Sequence, residues 1–213
     1  MRVRSLLCAT AILVAGVVTL APVATNAATA VHVATTSRAI WPLAPARTGY
    51  PSAVAAARSF AVSRLGMDPT LTVSSRVGAS SGVVTVRPSA RGIATNIHVV
   101  RPSAAAGWWV LSSTTPWIDV TSPRALASVA SPLRLVGTGE AFEGVLNVRL
   151  YVDGRRAALV TTTAMAGGSQ LAPFSTTLRF PAPGARWGTL IVSQESAKDG
   201  STVCATSRRL LFG

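Results

Sequence analysis

Cysteine is nearly missing from these 213 residues, with Cys8 and Cys204 the only two. Lysine occurs once, as Lys198; histidine occurs twice, as His32 and His98; and 7 acids face 20 basic residues. Each shortage excludes a chemistry. A single cysteine in the body of the chain forms no internal disulfide, so a fold in an oxidising compartment rests on packing alone. One cysteine and two distant histidines make no zinc site at any recognised spacing. The acids Asp68, Asp119, Glu140, Glu143, Asp153, Glu195 and Asp199 are scattered, without the paired carboxylates that acid–base hydrolysis uses. No Gly-rich phosphate loop or dinucleotide fingerprint occurs. No cofactor, metal or catalytic residue is therefore expected. Glu140 and Glu143 share one loop with Asp119 a candidate third calcium ligand, but the simpler reading is turn residues and solvated carboxylates. Gly78-Ala-Ser-Ser-Gly82 has the G-x-S-x-G form, yet a strand pattern follows it where a nucleophile elbow needs a helix, so it reads as a hairpin turn.

What the chain does have is short apolar runs broken at near-regular intervals. Between Ser131 and Gly200, Leu133 to Val136 stops at Gly137 and Gly139, and Val145, Val148, Leu150 and Val152 follow Gly144. Ala158 to Ala164 comes next, then the strict alternation of Phe174, Thr176, Leu178 and Phe180. Gly188 to Val192 and Val203 to Phe212 flank Lys198-Asp-Gly-Ser201, whose Asp-Gly pair signals a hairpin turn. With Trp117 to Val120, these make about seven strands, the count of an immunoglobulin-like antiparallel β-sandwich.

The same stretch carries a resemblance. Trp117-Ile-Asp-Val-Thr-Ser-Pro123, Ser131-Pro-Leu133, Gly137-Thr-Gly-Glu-Ala-Phe-Glu-Gly144, Pro173-Phe174 and Glu195-Ser-Ala-Lys-Asp-Gly200 stand in family order. They resemble the bacterial spore germination immunoglobulin-like domain, Gmad2, in a protein of actinobacterial type. The resemblance implies an immunoglobulin-like fold, an extracytoplasmic protein and a role in binding. It carries over no catalytic residues, and no germination role follows.

Taken in order, residues 1–30 read as a signal peptide: Arg2 and Arg4 precede an apolar core from Leu6 to Leu20, and Ala28-Thr-Ala30 offers small residues for cleavage. That core is shorter than the roughly 20 residues of a spanning helix. Retention as an uncleaved anchor is the rival reading, and the only route to a membrane. Residues 31–50 read as a tether in which Trp41 docks on the next domain. Residues 51–115 read as a small α+β domain. Pro51 and Ser52 start a helix that Gly66 stops, with Val54, Ala57, Ala61 and Leu65 on one face. Leu71 to Val77, Val83 to Arg87, Ile93 to Val100 and Trp108 to Leu111 read as its antiparallel strands. This unit, with Leu65-Gly-Met67 and paired tryptophans, resembles the domain preceding the sandwich in related actinobacterial secreted proteins. Residues 116–213 form the sandwich, and the fold class is mainly β.

Removing Arg2 and Arg4 leaves 18 basic residues against 7 acids, a net +11. Such a field favours anionic partners. The arginines, however, are dispersed, with Arg155-Arg156 and Arg208-Arg209 the longest runs, and a nucleic-acid protein clusters its charge on one face. Their excess over lysine looks like the mark of a high-GC genome. Trp108 and Trp109 are neighbours in a strand and point to opposite faces, one to the core and one to the second domain or a partner. Phe142, in the Phe-Glu-Gly turn, is expected to plug the end of the sandwich. His98 alternates with Ile97 and Val99 and so faces solvent; Cys204 reads as a small buried hydrophobe.

The sequence thus points to a secreted, non-enzymatic binding or scaffolding protein of the cell envelope, with Phe142, Glu143, Trp109, Arg155 and Arg156 as candidate binding residues. Its partner is an envelope protein or an anionic wall polymer, not nucleic acid. The rivals are an electrostatic wall binder without a specific site and a hydrolase with an unrecognised one.

Overall fold

The structure is a computed structural model, described for residues 37–43, 46 and 48–213. The expected signal peptide and the start of the tether, with Cys8 and His32, lie outside the described residues.

Helix α1, Ala53–Phe60, begins where Ser52 accepts a hydrogen bond from the Ala55 N–H at 3.1 Å, satisfying one of the donors a helix start leaves free. It widens into a π turn over Ala61–Leu65 and stops at Gly66, which takes the left-handed conformation at φ 82°. Its buried stripe is Ala53, Ala56, Ala57, Phe60, Ala61, Arg64 and Leu65, the 3–4 spacing of a helix face. Val54, expected on that face, is exposed. The stripe lies on the antiparallel strands β1 (Thr72–Val77), β2 (Ser81–Arg87), β3 (Thr95–Val100) and β4 (Trp109–Thr114). Gly78 to Gly82 forms the β1–β2 hairpin, closed by Gly78 N–H to Ser81 C=O at 2.9 Å.

Beyond β4 come β5 (Ile118–Ser122), β6 (Ser128–Val129), β7 (Leu133–Gly139), β8 (Val145–Val152), β9 (Val160–Met165), β10 (Ala172–Leu178), β11 (Trp187–Glu195) and β12 (Thr202–Phe212). They make an immunoglobulin-like sandwich whose small sheet runs β10-β7-β5. Strand β7 passes through Gly137 and Gly139, where the sequence pattern suggested a stop. Phe174 sits directly opposite Gly137, and a Cβ there would lie 2.6 Å from the Phe174 ring, so the glycine makes room for the aromatic.

The large sheet runs β1-β2-β3-β4-β12-β11-β8-β9, with β6 added in parallel to β12. The sheet under the helix therefore continues into the sandwich. Two cores lie against it. One holds the helix stripe with Val84, Val86, Ile97, Val99 and Val110, and takes in Tyr151, Ile191 and Ala205 from the outer face of the sandwich. The other, between the two sandwich sheets, holds Ile118, Leu135, Leu146, Val148, Leu150, Phe174, Leu178, Leu190, Val192 and Leu210. Strand β11 is covered on both sides, which is why Thr189 to Gln194 reads apolar with only small or amide interruptions.

The β4–β12 junction has one paired position, Ser113 with Ser207. An extra residue, Leu111, bulges β4 between the Val99–Val110 and His98–Ser112 pairs and turns Ser113 to the inner face. There the Ser113 N–H donates to Ser207 Oγ at 2.7 Å, Ser113 Oγ donates to Ala205 C=O at 3.1 Å, and Ala205 N–H donates to Thr95 Oγ1 at 3.2 Å. Thr202 bonds Leu65 C=O through Oγ1 at 2.6 Å and Gly66 C=O through N–H at 3.0 Å. Thr95, Ser113, Thr202 and Ser207 are all at most 2% exposed, so water cannot replace these partners.

The described part of the tether is docked. Ile40 N–H donates to Val110 C=O at 2.8 Å, Tyr50 pairs with Trp108, and Trp41 packs on Phe60 with ring centroids 6.3 Å apart. Arg209, 4% exposed, holds Asp153 through two hydrogen bonds at 2.5 Å and reaches the Ser37 carbonyl at 2.9 Å.

Replacing Ser207 with alanine orphans the buried Ser113 N–H, and a lost buried partner costs about 1–3 kcal/mol. Urea unfolding of Ser207→Ala should show a destabilisation of that size; an unchanged midpoint would mean the seam is dispensable.

Candidate functional site

Among large apolar side chains in the described residues, Met165 (66%), Phe142 (61%) and Leu171 (55%) are the most exposed. All three belong to one end of the sandwich. Phe142 lies in the β7–β8 turn; Met165 ends β9, and Leu171 precedes β10. The two turns are stitched together by Ala141 N–H to Gly167 C=O at 2.8 Å, Ala166 N–H to Gly144 C=O at 2.7 Å and Gly167 N–H to Gly139 C=O at 3.0 Å.

Within this frame Phe142–Gly144 forms a single 3-10 turn. Glu143 is left-handed at φ 60° and Gly144 at φ 70°. A non-glycine residue in that region is strained by about 1–2 kcal/mol, and such conformations persist where surrounding bonds fix them. The sequence pattern placed Phe142 as the plug of the sandwich end. Ala141 fills that position instead, fully buried, and Phe142 is turned outward beside the exposed Glu143.

The other expected binding residues lie elsewhere. Arg155 and Arg156 are exposed in the β8–β9 loop, at the opposite end of β8 from Phe142. Eight strand residues separate the two ends by roughly 26 Å. Trp109 is 3% exposed and its indole N–H donates to Ala106 C=O at 2.9 Å, so it presents no surface to a partner. Trp108 is buried as well, in the core under the helix. Arg208 and Arg209 face opposite sides of β12, towards Asp119 and Asp153 respectively, and serve the fold. Asp119 lies 3.5 Å from Arg208 with its side chain largely exposed. Among the described residues no three His, Cys, Asp or Glu side chains converge as metal ligands would.

One buried group escaped the sequence reading. Arg64, 6% exposed, lies with its guanidinium carbon 3.5 Å from the Tyr151 ring centroid and donates from Nη1 to the carbonyls of Arg155 at 3.3 Å and Arg156 at 3.1 Å. Burial pulls its pKa down to about 10, so it stays a cation at neutral pH. The signal was an arginine inside the apolar stripe of α1. Met165 and Leu171 were also missed; their mark is an apolar residue on either side of a Gly-Gly loop.

His98 lies on the sheet face away from the helix, half-buried, with Nε2 3.3 Å from Thr114 Oγ1. Burial lowers its pKa from the ordinary 6.5. Below 6.5 the unfolded chain takes up a proton that the folded chain resists, so stability falls as pH drops through that value, until the folded pKa is passed. The urea midpoint of His98→Gln should fall less on mild acidification than that of the parent; equal falls would show that His98 contributes nothing.

Cys204 is fully buried within 3.8 Å of Gln194 Oε1, and desolvation pushes its thiol up to about 11. Thiolate is the reactive form, so alkylation at neutral pH should reach Cys204 only after denaturation, as peptide mass spectrometry would read. Labelling of the native chain at this position would contradict the packing.

The sandwich thus ends in two turns joined by cross-loop hydrogen bonds and tipped with exposed apolar side chains. Residues 117–201 match the family model described as the immunoglobulin-like domain of bacterial spore germination, Gmad2. The matched stretch includes Phe142, Glu143, Arg155 and Arg156 and stops before β12. No curated protein and no solved structure matches the chain.

Proposed function

We propose that this is a secreted, non-enzymatic binding or scaffolding protein of the cell envelope, and that it holds its partner through the sandwich end built around Phe142. The observation that carries this reading is a strained, hydrogen-bonded turn that holds a large aromatic out to solvent, next to two further exposed apolar side chains. A fold gains nothing internally from such a display, whereas aromatic anchors of this kind dominate protein interfaces. The Gmad2 likeness supports binding over catalysis. The partner that fits is an envelope protein with a complementary apolar pocket. Export by the segment at 1–30 and an actinobacterial, high-GC host belong to the same proposal. The net positive charge, with Arg155-Arg156 at the far end, favours a second reading, retention by an anionic wall polymer through charge alone.

Cosedimentation of the purified protein with isolated envelopes of its own host, across a salt series, separates the two. A packed contact should persist at about 1 M salt, where charges are screened beyond about 3 Å. Phe142→Ser should then reduce retention roughly tenfold, a loss of about 1.4 kcal/mol, with an unchanged melting temperature. Retention that vanishes by physiological salt and ignores Phe142→Ser would leave only the electrostatic reading. No retention at any salt would sink both.

A further inference from the structure

At the other end of β8 from Phe142, a cleft of about 400 Å³ opens between α1, the segment before it and the β8–β9 loop. That volume is in the range of small-ligand pockets. Its polar lining comes from Tyr50, Ser59, Ser63, Arg64 and Arg156, and Trp41 and Pro42 form an apolar wall. No acidic side chain lines it among the described residues.

The hydrogen-bond accounting in this lining is one-sided. The Trp41 indole N–H is shared between Tyr50 Oη and Ser59 Oγ, each at 3.1 Å, and those two oxygens are 2.5 Å apart. One hydroxyl hydrogen serves the Tyr50–Ser59 bond; whichever donates, the other hydroxyl hydrogen has no acceptor among the described residues. Arg64 Nε is buried with no partner, and Nη2 donates to no described residue. The nearest carboxylate influencing Arg64, Asp153, is already held by Arg209. Arg64 and Arg156 therefore bring two positive charges without a counter-ion pair among the described residues. A buried donor without an acceptor is costly, and native structures keep few of them. Arg64 also falls in the π turn, an irregularity frequent at functional sites.

We propose that this cleft binds a small oxyanion, a carboxylate or phosphate carried on a body no larger than a sugar. The anion would sit between Arg64 and Arg156 and take the surplus hydroxyl hydrogen of the Tyr50–Ser59 pair. The planar guanidinium fork suits the paired oxygens of either group. The body of the ligand would lie along Trp41 and Pro42. The site is separate from the sandwich end around Phe142, and neither depends on the other.

Calorimetric titration of the purified protein with inorganic phosphate, glucuronate and glucose tests this at about 150 mM salt, where dispersed surface charge is screened within about 8 Å. At least one of the two anions should bind and glucose should not. Preference for phosphate or for glucuronate would tell which group the native ligand carries. Arg156 is exposed and its side chain makes no hydrogen bond or ion pair with another described residue, so Arg156→Ala should melt as the parent does while weakening anion binding roughly tenfold. Arg64→Lys, which keeps the charge but loses the fork, should weaken binding as well. Binding of neither anion, equal binding of glucose, or anion affinity untouched by Arg156→Ala would each overturn the assignment.

Discussion

Everything in this molecule leans on β12, and β12 leans on a few buried hydroxyls. On one edge it pairs with β11 through nine positions. On the other it meets β4 at a single residue pair, where the strands under the helix join those of the sandwich. A strand edge left there would bury unpaired backbone groups. Thr95, Ser113, Thr202 and Ser207 supply the missing donors and acceptors from side chains instead. Serine and threonine suit the place because a hydroxyl both donates and accepts and is small enough to fit between backbones. Without a disulfide among the described residues, this seam and the apolar core beneath α1 that the two units share fix the helix-bearing unit to the sandwich.

That junction also decides what the outer face of the sandwich is for. In a free-standing sandwich the outer face of β8-β11-β12 would meet water. Here Tyr151, Ile191 and Ala205 on that face close the core beneath α1. Arg209, Asp153, Arg149 and Glu195 form ion pairs on the same face, so its charges are largely spent on one another. That face is thereby largely closed to a partner, which leaves the outer face of the small sheet, where Asp119, Thr121, Arg134, Ser175 and Thr177 are exposed, and the two ends of the sandwich. The β7–β8 turn offers apolar surface at one end, and the β8–β9 loop offers cationic surface at the other.

Most of this architecture was legible in the chain. Period-two alternation in Phe174 to Phe180 and the Gly66 stop after an alanine-rich stripe gave strands and helix close to their observed places. What stayed hidden was non-local. Gly137 looks like a strand end until Phe174 is known to lie across it. Leu111 is an ordinary strand residue until the register against β3 makes it a bulge. Ser113 and Ser207 are 94 positions apart, and no local pattern announces that they meet. Among candidate binding residues, Trp109 is buried, which fits a contact within the fold and not one with a partner; exposure cannot be read from residue type. Phe142 was placed in the right loop but pointed the wrong way, since its direction depends on bonds to the β9–β10 turn.

Arg64 shows how the same non-locality produces chemistry. An arginine on the buried face of a helix is expensive unless something takes up its charge. Tyr151 offers its ring and the β8–β9 loop two carbonyls, partial compensation that keeps the cation in place without neutralising it. A hydrophobic residue of similar length would have satisfied the packing of α1 without that desolvation cost. The arrangement makes physical sense if the remaining charge is completed from outside the chain. The position of Arg64 on α1, fixed by the same Leu65 and Gly66 carbonyls that bond Thr202, then means that the seam between the two units also sets the geometry of the cleft.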